Sequence, residues 1–346
     1  MMKIKGRLAM LVSLVALKTI GTEADQIFKT VRLPLGLALF AVLCFAPVSA
    51  GASTRTFVSG GGNDKNSCSR EAPCRTFARA ITQTDAGGEI SVMDSAEYGT
   101  VSIDRNITID AASGVYAGIN VAPQKTGIDI SSPAVIRVEL RGLRIISQGA
   151  DSIGISYNGA GFLYIENCIV DGFFGFIASK GIGIAIHNAG YVFVKDTSIR
   201  NGSTGILAAQ GGFGASITLD NVRLEGNNYV GLHLYDKHKA AIRNSVLSGN
   251  TNAGFLVDAQ ATSSELNIEE CSITHNGVGG KATGNGGSAS GIVRISSSTV
   301  THNDVGLLIQ GGTVLSAANN TIRDNQSVFD VVPHDIVGVL VIYKQK

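Results

Sequence analysis

The chain has no tryptophan among its 346 residues, and charged side chains make up only 16% of it. A globular helical domain needs charged solvent faces built from good helix formers, so this shortage argues against an α-helical architecture. Neither sign of charge is in surplus: 28 Lys and Arg stand against 27 Asp and Glu, a net charge of +1. No long basic or acidic run occurs either. A nucleic-acid binder built on bulk electrostatics needs a clustered basic excess, so no nucleic-acid partner is expected. Zinc-type spacings are also missing. With no C-x-x-C or H-x-x-H pattern in the chain, four ligands have no evident way to converge, and no metal site is assigned.

What the chain does have is glycine, 43 residues of it, and a repeat. Ile145, Val170, Ile199, Leu224, Leu247, Ile273, Val300 and Ile322 hold equivalent positions, separated by 25, 29, 25, 23, 26, 27 and 22 residues. Most units read aliphatic, any, aliphatic, any, Asn or Asp, small, any, aliphatic, and then turn, as in residues 163–172. This is the pattern of a β-solenoid. Its register can be tested on charge, because residues in one column stack at about 4.8 Å. Four residues before each core position stand Arg141, Glu166, Lys195, Asp220, Arg243 and Glu269, alternating in sign. Opposite charges facing across strands stabilise and like charges repel, so the alternation supports the alignment independently of hydrophobicity. A shorter column, Asp171, Arg200 and Glu225, follows the core position. Asn227, Asn250, Asn276, Asn303 and Asn325 stand three residues after it on five consecutive coils, the pattern of a structural asparagine ladder.

Residues 1–50 read as a leader. An arginine precedes an apolar segment at residues 33–46, followed by Pro47-Val48-Ser49-Ala50, the layout of a secretory signal with a small-residue cleavage site. The alternative is a membrane anchor, but the segment falls short of the roughly 20 apolar residues of a span. No stable span is therefore expected after cleavage, and the mature chain is expected in the periplasm or outside the cell. Cys68 and Cys74 flank a short polar loop, and a disulfide between them is expected in that setting, two free thiols being the alternative. Cys168 and Cys271 share one inward column four coils apart, about 19 Å, and read as core packing.

Residues 51–89 form an N-terminal cap region, in which Phe77, Ala80 and Ile81 fall on one face of a short helix covering the solenoid's open end. Residues 90–325 are the solenoid, and residues 326–346, rich in Val and Ile, are a C-terminal capping segment. The glycine-rich residues 277–291 read as a loop pushed out of one coil.

The opening Thr56-Phe57-Val58-Ser59-Gly60 with Asp64, then Pro73, Thr76-Phe77, Ala80-Ile81, Gly87-Gly88-Glu89-Ile90 and Tyr98-Gly99 resembles secreted proteins of the pectin-lyase-like superfamily. The resemblance spans residues 54–325. It implies an all-β fold, a right-handed parallel β-helix, here of about ten coils. It also implies a polysaccharide or cell-surface glycan as partner, with lyase, epimerase or hydrolase chemistry or binding alone. The alternative is a non-catalytic surface or adhesion solenoid. Enzymes of this superfamily use calcium held by carboxylates with a basic proton acceptor, or paired aspartates. Calcium is thus an open possibility, although Arg200 between Asp171 and Glu225 suits a charge ladder better than a six- to eight-oxygen site. The hydrolases' Asn-Thr-Asp, Asp-Asp and Gly-His-Gly series is missing. Pro333-His334-Asp335 resembles the Asp-Pro-His-Asp motif of mannuronan epimerases, with Val332 in place of the first aspartate.

Candidate chemistry collects in the turns. His275 and His302 occupy equivalent turn positions on adjacent coils and Asp324 continues their column, an arrangement suited to a general base oriented by a carboxylate. Ordinary solenoid surface is the competing reading. Arg200 and Arg323 are candidate substrate-binding cations. Among the aromatic residues, Phe162, Tyr164, Tyr191 and Phe193 at alternating strand positions read as packing, whereas Phe173 and Phe174, in a turn after Asp171-Gly172, are the candidates for exposed sugar-stacking rings.

Overall fold

In the computed structural model the described residues are 53–176, 180–209, 213–287, 289–326 and 335–343. The chain divides at residue 50 into two units, and the second, Gly51–Lys346, carries all the elements described. Three parallel sheets of twelve, ten and ten strands wrap one core, and each sheet adds one strand per coil. Sheet 1 runs from Ser53–Val58 to Leu340–Tyr343, sheet 2 from Ala96–Glu97 to Thr321–Ile322, and sheet 3 from Val101–Ile103 to Ile336–Val337. The coil count is close to the ten expected. Among the described residues no helix is long and apolar enough to cross a membrane.

The eight aliphatic residues of the repeat pair one to the next through sheet 2, from Ile145 to Ile322. In sheet 1 a second inward column runs in register through Val138, Leu163, Val192, Ile217, Ala240, Leu266, Val293 and Val314. All eight are buried in the same continuous core. Burying each large aliphatic side chain contributes about 1.5–3 kcal/mol, so the stacked columns supply the main apolar term. The charge column is also in register from Arg141 to Glu269. Within it Arg141 meets Glu166 at 3.3 Å and Arg243 meets Asp220 at 2.8 Å, whereas Lys195 turns to its neighbour Asp196.

Coils are possible because two corners repeat the same backbone. Between sheets 1 and 2, Gly142, Asn167, Asp196, Asn221, Asn244, Glu270 and Ser297 have φ from 49° to 69°. Between sheets 2 and 3, Asn201, Gly226, Gly249, His275, His302 and Asp324 have φ from 55° to 67°. Glycine, Asn, Asp and His tolerate this left-handed region best, which explains most of the residues found in both columns. The buried asparagines then bond coil to coil. Each Nδ2 of Asn227, Asn250, Asn276 and Asn303 donates to Oδ1 of the next asparagine at 2.9 Å. Each backbone N–H donates to the same oxygen. The ladder ends on Asp335, whose Oδ1 accepts from both the amide and the backbone of Asn325 at 3.0 Å. The rest of the epimerase-like motif, Pro333 and His334, lies outside the described residues.

The N-terminal helix α1, Phe77–Gln83, buries Phe77, Ala80 and Ile81 as expected, and Thr76 caps it by accepting from the Arg79 N–H at 3.1 Å. Cys68 and Cys74 form a disulfide. Cys168 and Cys271 are buried free thiols, pushed up to about 12 and about 11 by burial, as core packing requires. Residues 277–291 correct the loop expected there. Val278–Gly284 and Gly291–Ser296 are strands of sheets 3 and 1. A Cβ on Gly280 would lie 1.9 Å from the Phe255 ring of the preceding coil, so this glycine makes room for a core ring. The C-terminal segment, expected as a strand covering the open end, adds one strand to sheet 3 and another to sheet 1.

Asn276→Ala removes the amide that links two coils and leaves the backbone N–H of Asn250 without its partner. The expected cost is about 2–3 kcal/mol, read as a lower denaturant midpoint, whereas the exposed Asn228→Ala should leave the midpoint nearly unchanged.

Candidate functional site

The histidine column stacks as its spacing implies. The rings of His275 and His302 lie 5.5 Å apart and within 8° of parallel, and both residues are exposed. The expected carboxylate–imidazole pairing is nevertheless not made. Nδ1 of each ring meets the hydroxyl of the preceding threonine, Thr274 at 2.8 Å and Thr301 at 3.0 Å, and Asp324 faces Arg323 at 3.5 Å. Arg323 therefore sits beside Asp324 at an exposed strand end. Arg200 is held by Asp171 at 3.0 Å, inside the charge ladder. Among the described residues no three His, Cys, Asp or Glu side chains are grouped to hold a metal ion.

Phe173, expected to be exposed, is buried at 1%. It follows Gly172, whose φ of 82° reverses the chain and sends the ring into the core. Phe174 is exposed, edge-on to the exposed Phe176.

An outward-facing ring platform is instead on sheet 1, with Tyr191 exposed and Phe162, Tyr164 and Phe193 half-buried. Leu163 and Ile165 point inward, so the pleat turns Phe162 and Tyr164 outward, and Tyr191 and Phe193 lie beside them on the next coil. Phe162 stacks on Tyr191 at 5.1 Å and 13°, and Tyr164 on Phe193 at 4.8 Å and 9°. The two stacks run side by side, two residues apart along the strands, or about 7 Å. Arg137 closes one end, its guanidinium 4.4 Å from the Tyr164 ring centre and anchored by Glu139. At the other end the columns turn small. Ser216 and Thr218 pair with Tyr191 and Phe193, and Lys239 and Ala241 follow. The far ring faces thus look onto short side chains, and Tyr191 is 51% exposed.

Next to them opens a groove of about 220 Å³, lined among others by Thr218, Ala241, Arg243, Asn267, Arg294 and Tyr343. Its cations are already oriented: Asp220 fixes Arg243 and Glu265 fixes Arg294, each at 2.8 Å. Those hydrogen bonds from Arg243 and Arg294 hold the Asp220 and Glu265 carboxyls below their ordinary range. The face therefore offers ring surfaces, guanidinium donors and an amide along one flat strip. The signal is present in the sequence as parity: these rings alternate with inward aliphatics, and their columns turn small on the next coil. A larger concavity, about 480 Å³, lies near α1 and is lined by Thr82, Asp104, Arg105 and Asp129 among others, with no aromatic ring.

Sheet 3 presents no comparable open strip among the described residues. Ile182, Ala185 and Leu207, and Val230, Ala253 and Leu256, form two small buried clusters apart from the main core. His233, in register between Leu207 and Leu256, is 2% exposed and lies 4.2 Å from the Tyr235 ring. Burial pushes its pKa down to about 4. The unfolded value is about 6.5, so the unfolded chain binds the proton first and stability is lost as pH falls from about 6.5 towards 4. The loss should approach about 3 kcal/mol in denaturant unfolding between pH 7 and 4, and His233→Leu should flatten this part of the profile.

A family of sequences described as "Right handed beta helix region" matches residues 117–291. A search of curated proteins finds no match. Among solved structures the chain is similar to pectate lyase Pel9A, with 18% identity and a TM-score of 0.58, over 81% of this chain and 80% of that one. It is also similar to a rhamnogalacturonan lyase, with 11% identity and a TM-score of 0.36, over 81% and 78%. At 18% identity the likeness to Pel9A concerns the fold alone. The family match spans just over half of the chain, including the coils that carry the ring platform, and the chain belongs to the right-handed β-helix family.

Proposed function

We propose that the protein is secreted and binds a polysaccharide along the outer face of sheet 1. The observation that carries this reading is the pair of parallel ring stacks whose far faces open onto Ser216 and Thr218. A sugar ring presents an apolar face to an aromatic ring and hydroxyls at its edge. Here Tyr191 and Phe193 receive the face, and Arg243, Asn267 and Arg294 in the adjoining groove receive the hydroxyls. The strip runs along the solenoid axis, so an extended chain can follow the coils. The similarity to pectate lyase Pel9A supports a carbohydrate partner without specifying which one. The Cys68–Cys74 disulfide supports an oxidising location.

The reading is one of binding. The histidine column lies on a corner, is explained by its left-handed backbone, and makes no contact with a carboxylate in the described residues. The charge ladder through Asp171 and Arg200 is self-paired.

The test is calorimetry against a panel of acidic and neutral polysaccharides. Tyr191→Ala or Phe193→Ala should weaken binding by about tenfold or more. Thr218→Tyr, which covers the open ring face without removing a ring, should weaken it similarly. His275→Ala and His302→Ala should leave it unchanged. Histidine-dependent binding that is indifferent to the rings would overturn the proposal.

A further inference from the structure

The outward side chains of sheet 1 stand in columns across the coils that carry the rings and the groove, from Val135–Arg141 to Gly291–Ser296. Six of them are cations: Arg137, Arg141, Lys195, Lys239, Arg243 and Arg294. Each of the six already has a carboxylate. Arg137 and Arg141 share Glu139, and Arg141 also reaches Glu166 at 3.3 Å. Lys195 meets Asp196 at 3.9 Å, and Arg243 meets Asp220 at 2.8 Å. Glu265 takes its neighbours on both adjacent coils, Lys239 at 3.3 Å and Arg294 at 2.8 Å. Glu139, Glu166, Asp220, Glu265 and Glu269 stand outward among them, five carboxylates against six cations, so the face is nearly neutral. Protonation does not remove the acids that border the groove, because their cations hold Asp220 and Glu265 below the ordinary carboxyl range.

We propose that the polysaccharide taken by this face is uncharged, with no uronate or sulfate groups along its chain; the inference rests on the reading of sheet 1 as a glycan-binding face. A carboxylate or sulfate only accepts hydrogen bonds. In the groove it would face the oxygens of Asp220 and Glu265 with no proton to give them, and any guanidinium it gained would be shared with an acid already bound to it. A neutral sugar meets neither cost. Each hydroxyl both donates and accepts, so its O–H can give to Asp220 or Glu265 while its oxygen receives from Arg243, Arg294 or the Asn267 amide. The rings discriminate in the same direction. The open faces of Tyr191 and Phe193 carry the negative side of the ring quadrupole, which attracts polarised C–H groups and repels an anion.

Calorimetry with polymers matched in backbone and differing in charge tests it: hydroxyethylcellulose against carboxymethylcellulose, fully methyl-esterified against de-esterified polygalacturonate, and carboxyl-reduced against native alginate. In at least one pair the neutral member should bind and its acidic counterpart bind about tenfold or more weakly. Raising NaCl from about 50 to about 500 mM should change the neutral affinity by less than about twofold. Glu265→Gln, which releases Lys239 and Arg294 from their shared acid, should strengthen binding of the acidic member by about tenfold, a gain that high salt removes. An acidic member that binds as tightly as the neutral one, in a manner that Tyr191→Ala abolishes, would overturn this inference and leave the ring face standing. A Glu265→Gln variant with no gain for the acidic member would overturn it too. Binding of neither member of any pair, or binding indifferent to Tyr191→Ala, would overturn the ring-face reading and this inference with it.

Discussion

At each corner of the solenoid the strand hydrogen bonds stop while the backbone N–H groups continue, and in a buried corner each of those groups needs a partner. This chain solves the problem by stacking identical corners. A left-handed residue turns the chain, and a side-chain oxygen one coil further on accepts the orphan N–H. Asparagine does this between sheets 2 and 3. Ser245 and Ser298 do it between sheets 1 and 2, accepting from the N–H groups of Val222 and Cys271 at 3.0 and 3.1 Å. Because each donor lies in one coil and its acceptor in the next, a slipped register would strand several buried polar groups together. The aliphatic columns supply the apolar stabilisation, and the corners determine which register receives it.

That constraint also divides the surface. Corner columns favour Gly, Asn, Asp and His for reasons of backbone geometry, so chemically attractive residues there need no functional explanation. Sheet 2 offers strands mostly of three residues, and the middle coils of sheet 3 are buried on both sides. The outer positions of sheet 1 are less constrained: its strands are longer, its pleat leaves every second residue free, and coil-to-coil bonding needs nothing from those side chains. Paired rings followed by small residues on this face are therefore more informative than stacked histidines on a corner.

Much of the fold is legible in the chain itself. The eight aliphatic positions, the alternating charges, the asparagine column and the face of α1 are periodic or local signals, and all appear in register. The exceptions arise where a turn position or a composition is read without the backbone geometry. Phe173 reads as exposed because it lies in a turn, whereas the positive φ of Gly172 directs the residue after it into the core. Residues 277–291 suggest a loop because glycine is read as flexibility, whereas Gly280 is needed by Phe255 a full coil earlier. The platform rings read as packing because they alternate along their strands, although that same alternation with the buried Leu163 and Ile165 turns them outward. Asp335 cannot be matched to Asn325 from sequence spacing, since the ladder's period ends before it.

Side-chain footprinting by hydroxyl radicals, with and without saturating polysaccharide, addresses the division of surfaces most directly. Protection should fall on Phe162, Tyr164, Tyr191 and Phe193, while His275, His302, Phe174 and Phe176 react as in the free protein. Protection of the histidine corner or of Phe174 and Phe176, with the four sheet 1 rings unchanged, would contradict the account.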